Sequence, residues 1–302
     1  MALLEFNTHG IYCRPADIYI DPWRPVDRAI ITHGHADHSR AGHKYYLCTT
    51  TAAPVIRYRL GQRINMQTMG IGDTLVHRGV RFTFFPAGHI PGSAQVRVEY
   101  RGEVWVVSGD YKLENDGISE PFEPIQCHSF ITESTFGLPV FHWQDQSEIF
   151  KDINGWWQKN ADSGVPSVIT GYSLGKAQRL LAGLDVSIGP IYTHGAVEMI
   201  NEVMRQQGIK LPETVRVLPG HKATEFKDAI IVAPPAAMGS SWMKKFKNAA
   251  TGMASGWMAL RGNRRRRAAD RGFVLSDHVD WPGLNQAIRD TGADHIVVTH
   301  GY

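Results

Sequence analysis

The feature that most constrains this chain is the stretch ITHGHADHSRAGH at residues 31–43, which places four histidines and one aspartate within thirteen residues. It directly follows the apolar run Ala29-Ile30-Ile31, which predicts a buried strand. Gly34 and Ala36 are small, so the loop can fold tightly and turn alternate side chains inward. Imidazole and carboxylate groups are ligands for zinc. The stretch therefore predicts half of a metal site, rather than a polar loop that happens to be rich in histidine.

The bulk composition excludes several classes of protein. A chain of 302 residues, 43% of them hydrophobic, is long enough for one large domain or two smaller ones. Its net charge is only +3, so an anionic partner would have to be met by a local patch. Three widely spaced cysteines do not suggest a disulfide framework. With neither a signal peptide nor an apolar run of about 20 residues, we expect a cytoplasmic protein without a membrane segment.

Two sequence patterns alternate along the chain. Up to about residue 140, short apolar runs are separated by glycine-rich turns, and Arg101-Gly102 is typical of a hairpin turn. Helical spacing then appears over 147–160, and 165–184 predicts a strand, a turn and a helix with Ser173 as its N-cap. This middle part indicates an α/β unit with parallel strands. After residue 272 the earlier pattern returns.

One arrangement recurs: an apolar strand ends, and a side chain able to bind a metal follows. Because strand ends on one edge of a sheet converge on a common cleft, we expect these side chains to lie together. They are too many for one tetrahedral ion, so the sequence predicts two ions, zinc with Mn²⁺ or Fe as the alternatives. Two such ions can activate water and hold a phosphoryl or acyl oxygen. The residues are His33, His35, Asp37, His38, His89, Asp110, Glu133, His278 and His300.

These residues resemble the metallo-β-lactamase fold, whose signature is HxHxDH followed by a distant His, Asp and His. The segments ITESTFG, LSDHVD and VVTHG are similar to the three further motifs of the β-CASP nucleases and contain Glu133, His278 and His300. The resemblance covers essentially the whole chain. It implies a metallo-β-lactamase αββα sandwich with an inserted α/β β-CASP domain. The expected boundaries are 1–140 and 274–302 for the sandwich and 141–273 for the insertion.

A narrower resemblance is to bacterial ligase-associated DNA damage response exonucleases, within the mRNA 3′-end processing branch. It is carried by IYIDPWRPVDRAIITHGHADH, EVWVVSGDYKLENDGISEPFEP and ASGWMALRGNRRRRAADRGFVLSDH, with Gly34 where alanine is expected. It implies an exonuclease that acts on DNA ends, associated with an ATP-dependent DNA ligase and a helicase. Histidine in the last motif, here His300, is instead typical of RNA-processing members. We therefore favour DNA as the substrate and keep RNA as the alternative.

The resemblance also implies roles for the site residues. One metal is expected on His33, His35, His89 and Asp110. The other is expected on Asp37, His38, Asp110 and His300, with Asp110 as the bridge. The expected catalytic residues are Asp37, Asp110, Glu133 and His278. His278 would be the general acid or a phosphate ligand, and Glu133 would orient it. Asp21 is expected to orient a loop that carries metal ligands.

Contacts with substrate phosphates are predicted at two places. The helix start at Ser173 to Lys176 offers backbone N–H groups and a lysine, although an ordinary capped helix has the same pattern. The second place is an arginine run, which would either neutralise phosphates or form a solvated face. Tyr172 and Trp257 would stack on bases or be buried. The arginine run comprises Arg264, Arg265, Arg266 and Arg267.

Two other classes of function fit parts of the pattern. A small-molecule hydrolase such as a lactonase, thioesterase or glyoxalase could use the same fold. The inserted segment and the pair Glu133 and His278 argue against it, since such enzymes need neither. A binding module with a degenerate metal site is the other class. Every expected ligand position is occupied, which argues against that reading.

Overall fold

The computed structural model describes residues 2–260, 262 and 269–300. The chain is mixed α/β, as predicted, and divides into two compact units. The first comprises residues 1–141 and 278–302, and the second comprises residues 142–277. Among the described helices, none is both long enough and apolar enough to cross a membrane.

The first sheet of the first unit has six strands in chain order. The first three strands are antiparallel, and the last three extend the sheet in parallel. The strands are β1 (Leu4–Phe6), β2 (Ile11–Cys13), β3 (Ile18–Ile20), β4 (Arg28–Ile30), β5 (Tyr45–Thr49) and β6 (Met66–Met69), with helix α1 (Ala53–Leu60) between the last two. The histidine-rich stretch begins at the end of β4, as the apolar run predicted.

The second sheet has the order β18-β11-β10-β9-β8-β7, antiparallel from β7 to β10 and parallel from β10 to β18. Its strands are β7 (Thr74–His77), β8 (Val80–Pro86), β9 (Ala94–Tyr100), β10 (Glu103–Val107), β11 (Ser129–Glu133) and β18 (His295–Thr299). The predicted hairpin at Arg101-Gly102 is confirmed. Both turn residues have positive φ, 52° and 84°, as a type I′ turn requires.

The two sheets share one hydrophobic core. Ile20, Ile30 and Leu47 of the first sheet pack in the same cluster as Phe82 and Val96 of the second. Helix α1 packs on the other face of the first sheet, and α5 (Trp281–Thr291) contributes Ile288 to the apolar cluster on the other face of the second. This packing fixes the strand ends from which the polar side chains emerge.

The second unit is built on one fully parallel sheet, as the α/β pattern predicted. Its order is β14-β13-β15-β12-β16-β17. The strands are β12 (Ser167–Thr170), β13 (Ile191–Thr193), β14 (Val215–Arg216), β15 (Ile230–Ala233), β16 (Ala250–Ala254) and β17 (Arg271–Phe273). The helices α2 (Gln146–Asp162), α3 (Lys176–Gly183) and α4 (Gly195–Gln206) accompany it.

The helical spacing predicted over 147–160 is confirmed, and α2 buries Ile149, Ile153, Trp156 and Trp157. The prediction of Ser173 as the N-cap of the next helix is wrong. That helix begins at Lys176, and Gly175 occupies the N-cap position with a φ of 83°. A left-handed φ is readily adopted by glycine, so the turn reaches two residues further than the serine pattern suggests.

Gly88 precedes the predicted metal ligand His89 in the loop between β8 and β9. A substitution at Gly88 tests how tightly this loop is packed. Its φ is +72°, and an added Cβ would lie 2.1 Å from the Lys112 carbonyl oxygen. Gly102 has a similar φ of +84° with nothing within 4 Å, so Gly102→Ala is the matched control. We expect Gly102→Ala to cost about 1–2 kcal/mol in the free energy of unfolding. Gly88→Ala should cost about 1–3 kcal/mol more, because of the clash. Equal costs, measured by denaturant unfolding, would contradict this description of the loop.

Candidate metal centre

The carboxylate of Asp110 lies at the centre of the predicted site. It comes three residues after the end of β10 and is buried, with 5% of its surface exposed. Its Oδ2 atom lies 3.4 Å from His33 Nε2 and 3.7 Å from His89 Nε2. Its Oδ1 atom lies 3.3 Å from His38 Nε2. The two oxygens therefore face different histidines.

The four ligands predicted for one metal form a compact group. Potential ligand atoms of His33, His35, His89 and Asp110 all lie within 4.8 Å of one another. His35 Nδ1 is 3.1 Å from His33 Nε2 and 3.0 Å from His89 Nε2. Ligands about 2.0–2.1 Å from a tetrahedral zinc ion are roughly 3.3 Å apart, so these spacings suit such an ion.

The ligands predicted for the other metal are neighbours but form a looser set. Asp37 Oδ2 lies 3.8 Å from His38 Nε2, and the ring centroids of His38 and His300 are 5.0 Å apart. His38 Nε2 is buried and makes no hydrogen bond with any described residue. A buried nitrogen without a hydrogen-bond partner is costly, and a metal ion would use its lone pair. The donor set here therefore also fits a metal.

Asp21, in the connection between β3 and β4, holds the histidine-rich loop in place. Its Oδ1 accepts a hydrogen bond from the backbone N–H of Thr32 at 2.8 Å, and its Oδ2 lies 2.8 Å from His38 Nδ1. With Nδ1–H donated to the carboxylate, a neutral His38 would carry its lone pair on Nε2, on the side of Asp110. This is the contact that the orienting role predicted for Asp21 requires.

The electrostatics of the centre favour the ligand form of His33 and Asp110, whereas His38 has to release a proton to bind a metal ion. Burial, together with the nearby His38, lowers the pKa of His33 well below its ordinary value. Burial opposes charging of His38 too, but the carboxylates of Asp110 and Asp21 outweigh it and raise that pKa well above its ordinary value. Burial also opposes ionisation of Asp110, yet His38 and His278 lower its pKa well below the ordinary value. Asp110 is thus an ionised carboxylate beside a neutral His33.

The loop that carries His89 is closed by its own side chains. Ser93 Oγ accepts hydrogen bonds from the backbone N–H groups of His89 and Ile90, at 3.1 and 3.2 Å. The Gly92 N–H donates to Glu120 Oε2 at 2.9 Å. The backbone N–H groups of the GHIPGS turn thus have hydrogen-bond partners although the turn belongs to no helix or strand. These bonds fix the position from which the His89 imidazole extends.

The buried Glu133 and the partly exposed His278 form a pair beside Asp110. His278 Nδ1 lies 2.9 Å from both carboxylate oxygens of Glu133. Glu133 also accepts a hydrogen bond from the N–H of Tyr111, the residue after Asp110, at 3.0 Å, and one from Thr135 Oγ1 at 2.6 Å. The carboxylate thus positions both the imidazole and the backbone next to the metal ligand.

Arg59 is a positioning residue that the sequence did not reveal. Its Nη1 atom, at the end of α1, donates to the Gly34 carbonyl at 2.5 Å and to Ser39 Oγ at 2.6 Å. Ser39 Oγ in turn donates to the carbonyls of Gly34 and His35, at 3.2 and 3.0 Å. A half-buried guanidinium therefore closes the loop between two predicted metal ligands. No motif marks this arginine, because the contact depends on where α1 packs.

The predicted phosphate contacts are not assembled in the same way. Lys176 is buried, 3% exposed, and its Nζ lies 2.5 Å from Asp277 Oδ1, so its charge is already paired. Ser173 lies outside the helix, and its carbonyl accepts a hydrogen bond from Gln178 Nε2. Tyr172 is 59% exposed, whereas Trp257 is half-buried. The four arginines predicted to contact phosphate lie outside the described residues.

Comparison with curated proteins relates the chain to several named nucleases and to a ligase. It is 30% identical over 303 residues to a protein of Opitutus terrae named probable DNA ligase, covering 98% of this chain and 29% of that protein. It is 24% identical to an RNase J-like protein of Methanocaldococcus jannaschii, covering 58% of this chain and 48% of that protein. It is 25% identical to Drosophila melanogaster cleavage and polyadenylation specificity factor 73, covering 74% of this chain and 40% of that protein. The chain thus spans less than half the length of each of these relatives.

Two further comparisons concern the fold. No protein-family model matches the chain. The crystal structure of a protein of unknown function from Enterococcus faecalis superposes with a TM-score of 0.64 at 10% identity, covering 90% of this chain and 75% of that one. That likeness shows a shared fold.

The contact of Arg59 with the histidine-rich loop can be tested by metal affinity. We expect Arg59→Met to weaken zinc binding by about 10- to 100-fold, the range for residues that orient metal ligands. Arg57→Met is the matched control, because Arg57 lies on the same helix but donates to the carbonyls of Gln62, Ile64 and Met66. Competition with a chelator measures both affinities. Equal affinities in the two variants would mean that Arg59 does not position the ligands.

Proposed function

Because the chain belongs to the β-CASP metallo-β-lactamase nucleases, we propose that it is a two-zinc phosphodiesterase, an exonuclease that processes DNA ends in ligase-associated repair in the cytoplasm. The main support for the proposal is that the two carboxylate oxygens of Asp110 face different sets of histidines. Oδ2 faces His33 and His89, whereas Oδ1 faces His38. A carboxylate can bridge two ions with its two oxygens, and two-metal sites are typical of phosphodiester hydrolysis.

In this proposal every predicted ligand has a place. One ion would be held by His33, His35, His89 and Asp110, and the other by Asp37, His38, Asp110 and His300. When bound, zinc, or Mn²⁺ in its place, would activate water for attack and neutralise charge on the phosphoryl oxygens. The buried donors keep this chemistry in a site of fixed geometry.

His278 supplies the proton in the proposed reaction. Water attacks phosphorus and loses one proton to solvent, and the bond from phosphorus to the leaving oxygen breaks. His278 gives that oxygen a proton and regains one from solvent afterwards. Glu133 holds the Nδ1 side of the ring at 2.9 Å, which directs the role to Nε2 and stabilises the charged imidazolium before transfer. Asp37, the most exposed carboxylate of the set, completes the catalytic residues and binds the second ion.

Two observations bear on the nucleic acid. The match to the Opitutus terrae protein, which is named probable DNA ligase, covers 98% of this chain and favours DNA, with a DNA ligase as a proposed partner. A helicase partner is proposed from the sequence resemblance alone. His300 and the relatives named as RNases support RNA processing as the alternative. DNA is favoured because the ligase-related match extends over the whole chain.

The two compact units fit the same proposal. The unit with two sheets, residues 1–141 and 278–302, corresponds to the metallo-β-lactamase αββα sandwich, and residues 142–277 correspond to the inserted β-CASP domain. A small-molecule hydrolase would not need the second unit.

Digestion of end-labelled nucleic acid tests the proposal directly. Single-stranded DNA and matched RNA, labelled separately at each end, would be incubated with protein loaded with Zn²⁺ or Mn²⁺. We expect stepwise shortening of DNA. Cleavage of RNA with DNA left intact would assign the protein to RNA processing, and cleavage of neither would reopen the small-molecule hydrolase.

Two substitutions separate the metal ligands from the proton donor. We expect Asp110→Ala to abolish hydrolysis and to lower metal content, because both ions lose their shared ligand. His278→Ala should lower the rate by about 10²- to 10⁴-fold, the contribution of a general acid, while both ions stay bound. Elemental analysis and hydrolysis rates measure the two effects. Full activity of Asp110→Ala, or metal loss in His278→Ala, would contradict the assigned roles.

The proposed phosphate contacts of the arginine run can be tested through salt dependence. Replacing Arg264, Arg265, Arg266 and Arg267 by glutamine should weaken binding to DNA and flatten its dependence on salt. Each lost phosphate contact lowers the slope by about 0.7 on a single strand or 0.9 on a duplex. An unchanged slope would show that these arginines form an ordinary solvated face.

A further inference from the structure

A second basic region lies in the β-CASP unit, apart from the arginine run. Residues 210–247 contain seven lysines and arginines but only three aspartates and glutamates. In the part of the chain that the structure describes, none of these seven cations forms a salt bridge. The cations are Lys210, Arg216, Lys222, Lys227, Lys244, Lys245 and Lys247.

Several other cations of the same unit have acidic partners. Arg271 lies 2.5 Å from Asp152, Arg205 lies 2.8 Å from Glu198, and Lys176 pairs with Asp277. The seven cations of residues 210–247 have no acidic partner among the described residues, although Lys245 donates to backbone carbonyls. The unpaired group therefore leaves a local positive field on a molecule whose net charge is small.

Tertiary contacts bring several of these residues into one surface. Lys245 Nζ donates to the carbonyls of Leu218 and Pro219, at 3.3 and 3.0 Å, which joins the 241–245 turn to the loop after β14. The side chain of Arg216, at the end of β14, lies close to Gly195. Its Nε atom is 3.2 Å from the position that a Cβ atom on Gly195 would occupy. Strands β13 and β14 are parallel neighbours, so His194 and Arg216 lie at the same edge of the sheet.

Aromatic rings lie among these cations. The ring of His194 packs edge-to-face on the half-buried Trp242, with centroids 4.8 Å apart. His194 Nδ1 accepts a hydrogen bond from the Ala196 N–H at 3.1 Å, so its Nε2 carries the proton and is a donor. Lys244 is exposed and lies two residues from Trp242. The surface thus offers cations, a neutral donor and an aromatic ring.

We propose that this basic-aromatic surface, comprising His194, Arg216, Trp242 and Lys244, binds single-stranded nucleic acid. The cations contact phosphates, and the aromatic rings stack on bases, the combination that binds single strands without sequence readout. The inference rests on the proposed nuclease function and deepens it, because it assigns the protein a second contact with its substrate strand.

Charge reversal tests the surface. The variant carries Arg216→Glu and Lys244→Glu. The matched control carries Lys151→Glu and Lys159→Glu, two exposed lysines of α2 with the same change in charge. Both are made in the Asp110→Ala background, so that the ligand is not digested. Binding of fluorescent single-stranded DNA is measured from about 50 to 200 mM salt. We expect the salt slope to fall by about 1.4 in the variant, for two phosphate contacts at about 0.7 each, and to stay unchanged in the control.

Further measurements separate this proposal from the nuclease proposal. Trp242→Leu should weaken binding without changing the salt slope, because stacking releases no counterions. With Asp110 restored, the Arg216→Glu, Lys244→Glu protein should hydrolyse bis(p-nitrophenyl) phosphate at the wild-type rate, because that ester is too small to reach a second contact. A slope equal to that of the control would overturn the proposed surface. Loss of slope in a protein that hydrolyses no phosphodiester would support the surface and overturn the nuclease function.

Discussion

The arrangement of the first unit depends on one buried carboxylate surrounded by imidazole rings. Asp110 is almost fully inaccessible to water, and an isolated carboxylate in such a place would be neutralised or expelled. It stays ionised chiefly because His38 and His278 lie within about 4 Å of its oxygens, and His33 contacts it at 3.4 Å. His89 also faces it, at 3.7 Å. These imidazoles come from three parts of the unit, since His33 and His38 share the histidine-rich loop, whereas His89 follows β8 and His278 precedes α5. The strand ends of both sheets must therefore be held in fixed positions relative to each other for the site to form.

Two of the histidine rings are held by carboxylates from other segments, since Asp21 contacts Nδ1 of His38 and Glu133 contacts Nδ1 of His278. The backbone of the loops is held as well: Ser93 closes the turn of His89 from within, and Arg59 closes the loop around Gly34 from a helix on the outer face of the sheet. The two carboxylates fix the tautomer and direction of the rings that they contact before any ion or substrate binds. Preorganised donors need little rearrangement during the reaction. In many enzymes such preorganisation makes the largest contribution to the rate enhancement.

Sequence patterns predicted the parts of this structure that depend on local order. The strand that ends before His33, the hairpin at Arg101-Gly102 and the buried face of α2 follow from spacing and turn chemistry alone. Contacts made by packing were not predictable. Lys176 was expected at a phosphate, but its partner Asp277 lies 101 residues later in the chain. Arg59 meets Gly34 only because α1 packs against the first sheet.

The proposed two-metal chemistry requires Asp110 to bridge two ions. Native mass spectrometry of the zinc-loaded chain, beside Asp110→Ala, tests this bridge. We expect two zinc ions for the wild-type chain and fewer than two for the variant, because both binding sets share that carboxylate. One ion in the wild-type chain, held equally well by Asp110→Ala, would contradict the bridging arrangement and the two-metal chemistry built on it.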